Sequence, residues 1–212
     1  MSLLGGDLLH ETVEVRKITG PGAILTELHR GIRKQLRQKE TSNRDGMDIA
    51  LCTIDHHSRT LAFAGAKNPL VYIEGGEVHQ IAGDRLTIGG RVKQIEREFT
   101  TRTIPFSTDT TFYIFSDGLQ DQFGGSQGRK FGIKRLRELL LEAHTLPMPQ
   151  QKELIATTLQ RWMLQGDEKQ IDDMLLLGFR PGAVARAEQP EPSEKAGGAH
   201  SSPFRPHPRQ SP

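Results

Sequence analysis

Two places in the chain set carboxylates where chemistry could use them. In TTFYIFSDGLQDQFGG (110–125) a β-branched and aromatic run, Thr111 to Phe115, stops at Ser116 and is followed at once by Asp117-Gly118. The run has the composition of a buried strand, so Asp117 sits where a sheet edge can present it to a metal or a substrate. Asp-Gly is also a common turn dipeptide, and alone it says little. In IDDMLLLGFR (171–180) two adjacent carboxylates, Asp172 and Asp173, open an apolar run that reads as a second strand. Acidic residues at the ends of two separate strands suit a hard cation, which takes oxygen ligands.

Other reactive residue types carry less. His56-His57 fall in a hairpin turn with no partner at ligand spacing, and read as solvated. The single Cys52 lies inside an apolar strand pattern and reads as a buried, reduced thiol. GDRLTIGG (83–90) lacks the lysine and the strand-to-helix setting of a phosphate loop, and reads as an irregular connection. Asp7 lies on a helix, and Asp45 and Asp48 flank a strand start, where a lone aspartate is usually a cap or a surface residue.

The elements that must position these residues follow from periodicity. Leu4, Leu8, Leu9, Thr12 and Val13 recur at helical spacing over 3–18. Thr19 before Pro21 marks the start of a second helix, with Ile24, Leu25, Leu28, Ile32 and Leu36 on one stripe. Arg30, Arg33, Lys34 and Arg37 lie mostly off that stripe and read as a solvated face. KETSNRDG (39–46) is a polar loop. Strands are expected from Met47 to Ile54 and from Leu61 to Ala66, then a hairpin over 71–73 and 78–81 around Gly75-Gly76, and strands over 93–104 and 110–116. Two amphipathic helices follow Phe131, the second over 150–165 with Trp162 in its core face. The strand 171–180 closes a domain spanning 1–180. Residues 181–212 hold seven of the twelve prolines and almost no large apolar residues, and read as a disordered Pro/Gly/Ser-rich tail. The order of elements is α+β.

Composition excludes several classes. A formal net charge of +2 argues against a dedicated nucleic-acid binder. No run of roughly eighteen apolar residues offers a membrane span. The N-terminus lacks the basic, apolar and small-residue succession of a secretory leader, so a cytoplasmic location is expected.

FSDGLQDQFGG, FGIKRL and IDDMLLLGF, with DGMDIALCTID and LAFAGAKNPL before them, resemble the SpoIIE-type branch of the metal-dependent protein phosphatases (the PPM, or type 2C, fold). In that branch the LAFAGAKNPL segment usually reads Ala-Gly-His-Asn-Pro; here Lys67 stands at the histidine position. The resemblance implies a PPM-type α-β-β-α sandwich and hydrolysis of phosphoserine or phosphothreonine on a regulatory protein in bacterial signalling. The cofactor it implies is Mn²⁺ or Mg²⁺, two ions in the complete family site. By carry-over Asp117 and Asp172 are metal ligands, with Asp173 as a neighbour; no substrate-binding residue is assigned. Phosphorylated anti-sigma-factor antagonists are the usual substrates of the branch, and sensor modules usually precede the domain. The family site also uses an earlier acidic strand and an Asp-x-x-Gly-His-Gly segment. The chain opens at what resembles the middle of the following helix, so the domain is expected to be N-terminally incomplete. An alternative reading is a catalytically inactive remnant that serves as a protein-interaction module.

Overall fold

The computed structural model of the chain describes residues 2–90 and 97–182. Helix α1 (Ser2–His10) runs through both of its glycines into a π-helical turn, Glu11–Val15, and α2 (Pro21–Gln35) follows with Pro21 in its first turn. Strands β1 (Gly46–Met47), β2 (Ile49–Asp55), β3 (Thr60–Ala66), β4 (Leu70–Glu74), β5 (Glu77–Ile81), β6 (Ile88–Gly89), β7 (Arg102–Pro105) and β8 (Thr111–Phe115) come next. A single helical turn, α3 (Asp117–Asp121), and a small ladder, β9 (Phe123–Gly124) with β10 (Arg129–Lys130), lead to α4 (Gly132–Ala143), α5 (Met148–Gln165) and the last strand, β11 (Leu176–Phe179).

All strand pairs among the described residues are antiparallel. Among the described residues, one sheet has four strands in the order β11-β8-β4-β5, the other three in the order β2-β3-β7, and β1 pairs with β6. Strand alternation explains how they stack. Leu61 and Phe63 of β3, Leu70 of β4 and Phe112 of β8 meet between the sheets. Their neighbours of opposite parity face helices. Ala64 and Ala66 lie under Leu25, Leu28 and Ile32 of α2. Val71, Ile73, Tyr113 and Phe115 lie under Leu136, Leu140, Ile155 and Leu159 of α4 and α5. Strands covered on both faces read as continuous apolar runs, which is why their composition was legible. The result is an α-β-β-α sandwich.

Several expectations need correction. Among the described residues, the strand expected over 93–104 covers Arg102–Pro105 and residues 97–101 carry no regular structure; 91–96 lie outside the described residues. The strand expected over 171–180 is only Leu176–Phe179, so Asp172 and Asp173 lie in the loop before it. Asp117, placed by its sequence at the end of a strand, opens the helical turn α3. GDRLTIGG contains a short ladder, Ile88–Gly89 paired with Gly46–Met47. Arg33 is buried, its Nη1 donating to the Gly90 carbonyl oxygen, because β6 and the residue after it fold over that face of α2. The other basic residues of the stripe's flank stay at the surface, Arg30 paired with Glu27. Trp162 is half-buried, edge-on to Phe131 with the Arg135 guanidinium over its ring. From residue 183 the tail lies outside the described residues.

One buried titratable group gives the fold a pH dependence. His29 of α2 is fully buried, and the Gly89 N–H donates to its Nδ1 at 3.1 Å, which leaves the proton on Nε2. Burial, together with the nearby Arg33 and Arg97 charges, pushes its pKa from 6.5 down to about 4. The unfolded chain therefore binds the proton that the folded chain refuses. The contribution is complete above pH 6.5 and is lost as pH falls toward about 4. The thermal midpoint of the wild type should fall more steeply across that window than that of His29→Gln; parallel midpoint–pH curves would refute this.

Candidate metal centre

Four connections from both sheets converge on one open cleft of about 810 Å³. Asp48 enters from the link between β1 and β2, Lys67 and Asn68 from the turn between β3 and β4, Ser116 and Asp117 from the end of β8, and Asp172 and Asp173 from the loop before β11. Strand register sets these positions. Leu176 pairs with Phe115, so the residues before the first and after the second emerge at the same sheet end. On the other sheet Ile49 pairs with Ala66, which sets Asp48 and Lys67 as the next residues outward on adjacent strands.

The β8–β11 corner is tied by one hydroxyl. Ser116 Oγ donates to the Asp173 carbonyl oxygen at 2.8 Å and accepts the Leu175 N–H at 2.9 Å, while the Ser116 N–H donates to the Leu175 carbonyl oxygen. Behind it the fully buried Gln122 spans the loop: Nε2 donates to the Lys169 carbonyl oxygen and Oε1 accepts the Ile171 N–H. Gln170 Nε2 donates to the Asp172 carbonyl oxygen, and Asp172 Oδ1 accepts the N–H of Asp173. These bonds use the backbone of the loop and so fix where its carboxylates start.

Gly118 is required by the same corner. A Cβ there would lie 2.5 Å from the Asp173 carbonyl oxygen and 3.4 Å from Asp172 Cβ. Gly118→Ala must push the loop away from α3, at a cost of about 1–3 kcal/mol for overpacking. The expected result is a lower thermal midpoint together with at least tenfold weaker Mn²⁺ binding, of the order caused by losing an outer-shell support. Unchanged Mn²⁺ affinity in calorimetry would show that the corner does not position the carboxylates.

Of the sequence-derived candidates, Asp117, Asp172 and Asp173 share this cleft. Among the described residues no three His, Cys, Asp or Glu side chains gather closely enough to hold a metal ion by themselves. Asp48, set aside on sequence grounds as a strand-start residue, lines the cleft with them and pairs with Lys67 at 3.3 Å. Asp45 instead takes part in a loop network with Asn43. Ser116 and Gln122 escaped sequence reading: a serine before Asp-Gly suggests only a turn, and nothing local marks a buried glutamine. Cys52, expected to be buried, is a half-buried free thiol whose pKa desolvation pushes up to about 12, so it is protonated near neutral pH.

A family profile described as Stage II sporulation protein E (SpoIIE) matches residues 6–181. The chain belongs to the SpoIIE family. The SiaA-PP2C domain of Pseudomonas aeruginosa is similar at 33% identity and a TM-score of 0.73, over 84% of this chain and 68% of that one. PppA, a key regulatory component of T6SS in Pseudomonas aeruginosa, is similar in fold at 16% identity and a TM-score of 0.53, over 84% of this chain and 77% of that one. So is the PP2C phosphatase domain, with a fragment of the regulatory domain, of the cell fate determinant SpoIIE from Bacillus subtilis. There identity is 13% and the TM-score 0.50, over 70% of this chain and 43% of that one. No curated protein matches the chain. This SpoIIE-family domain therefore has the PP2C-type phosphatase fold, and by family it is a hydrolase. No helix among its described residues is long and apolar enough to cross a membrane.

Proposed function

We propose that the chain is a metal-dependent protein serine/threonine phosphatase domain that hydrolyses phosphoserine or phosphothreonine on a regulatory protein in bacterial cytoplasmic signalling. The observation that carries the reading is the convergence of Asp117 and the Asp172-Asp173 loop on one polar cleft in a SpoIIE-family chain. The donor set is all oxygen and the cleft is open, which fits a partly hydrated Mg²⁺ or Mn²⁺ held by one or two carboxylates better than a closed protein cage. Asp117 and Asp172 are the residues that would hold it, with Asp173 beside them. A bound divalent ion would supply charge neutralisation on the phosphoryl oxygens and a water acidic enough to attack near neutral pH.

The chain's own part is positioning. Ser116 and Gln122 pin the loop backbone, Gly118 allows α3 to approach it, and the two sheet ends hold the carboxylates at one mouth. Such preorganisation lets the site act on charge that develops during the reaction without first rearranging. No covalent intermediate on the protein is needed, and Cys52 has no part in it.

A second reading is favoured by one observation: no three acidic or histidine side chains form a ready cage among the described residues. On that reading the domain binds a partner through the phosphatase surface without turnover. Phosphate release from a phosphoserine protein, with Mn²⁺, with Mg²⁺ and with chelator, separates the two. Metal-dependent release supports the first; a folded protein that binds the phosphoprotein without releasing phosphate supports the second.

A further inference from the structure

Lys67 is a cation in the cleft that the reading above leaves without a role. Its Nζ lies 3.3 Å from Asp48 Oδ2, and its side chain is 52% exposed. The turn beneath it is firmly held. Lys67 has φ 60°, in the left-handed region that few non-glycine residues occupy. Its N–H donates to the Asp84 carbonyl oxygen at 2.8 Å, and the Asp84 N–H donates to the Gly65 carbonyl oxygen at 2.8 Å. The Asp84 carboxylate in turn accepts the Thr100 N–H at 2.7 Å. A rigid turn thus carries a flexible stem that ends in a compact charge. That charge sits in the cleft that also holds Asp117 and Asp172.

Two partners can take this ammonium: the Asp48 carboxylate, or an anion that enters the cleft. The pair is partly exposed, Lys67 at 52% and Asp48 at 28%, and ion pairs open to solvent hold weakly, so Asp48 can release Lys67 at little cost. A phosphomonoester carries close to two negative charges and three strong acceptor oxygens. Among aspartates it meets repulsion, which a protein cation at the same mouth offsets. We propose that Lys67 anchors the phosphoryl group of the substrate, and that Asp48 holds the lysine in place while the cleft is empty. This rests on the phosphatase reading and adds a substrate-binding residue to it.

Inorganic phosphate is the probe. Its binding to the Mn²⁺-loaded full chain is measured by calorimetry, and hydrolysis of p-nitrophenyl phosphate is followed in parallel, for the wild type, Lys67→Met, Lys67→Arg and Asp48→Asn. Lys67→Met keeps the apolar stem on a half-exposed position, so folding is preserved, which circular dichroism checks. It should weaken phosphate binding and raise KM about tenfold, the scale of one hydrogen bond to a charged group, with kcat less affected. Lys67→Arg should stay within about threefold of the wild type, since it keeps the charge. Asp48→Asn should bind phosphate more tightly than the wild type, because the competing carboxylate is gone. Phosphate affinity equal in Lys67→Met and wild type, equal losses in the Met and Arg variants, or no phosphate binding by the wild type would each overturn the anchor. Lys67-dependent phosphate binding without hydrolysis would leave the anchor standing and sink the phosphatase reading. Hydrolysis with KM unchanged in Lys67→Met would do the reverse.

Discussion

Asp117→Asn should lose Mn²⁺-dependent phosphate release by more than about 100-fold in kcat/KM, beyond what loss of an outer-shell partner costs a metal site. Asn keeps the shape of the side chain and removes the charge that a hard cation requires. The effect is specific to position. Asp121 lies four residues on in α3, at the surface and paired with Lys130 at 3.0 Å, and Asp121→Asn should stay close to wild type. A second readout does not depend on turnover. Mn²⁺ should raise the thermal midpoint of the wild type, because a ligand bound only by the folded state stabilises it, and should leave that of Asp117→Asn unchanged. Full activity in Asp117→Asn, or equal Mn²⁺ stabilisation of both proteins, would remove Asp117 from the site.

Phe112→Ala should be the most destabilising of the substitutions considered. Phe112 is fully buried between the sheets, where its ring stacks on Phe179 at 5.7 Å and lies 5.6 Å from Tyr72 and 6.3 Å from Phe106. Truncation there opens a cavity that joins β4, β8 and β11, and costs about 3–5 kcal/mol. In a chain of this length that lowers the thermal midpoint by roughly 10 °C. Urea unfolding should show a lower midpoint with an unchanged m-value. Leu164→Ala, at a position 73% exposed on α5, should change stability by less than about 0.5 kcal/mol. Comparable effects from the two substitutions would mean that the space between the sheets is not the centre of the core.

Local chemistry was legible wherever a residue's neighbours in sequence were also its neighbours in space. Ile24, Leu25, Leu28 and Ile32 share a face because a helix repeats every 3.6 residues, and the stripe names that face without any knowledge of what covers it. Gly75 and Gly76, both at positive φ, announce the β4–β5 hairpin because few other residues take that turn. Asp117 and Asp172 stood out by sitting at the ends of apolar runs. The tertiary structure decided the rest. It buried Arg33, because burial of a long side chain depends on what folds over it, and here that is a segment nearly sixty residues away. It moved Asp172 and Asp173 into a loop, because Ser116 and Gln122 compete successfully for backbone groups that a longer strand would have paired. Above all it drew Asp48 and Lys67 into the cleft. Asp48 is an ordinary strand-start residue in its own stretch of chain, and Lys67 stands out there only as a departure from Ala-Gly-His-Asn-Pro. Only the β2–β3 register, which a one-residue slip would have changed, sets one beside the other at the mouth that Asp117 and Asp172 share.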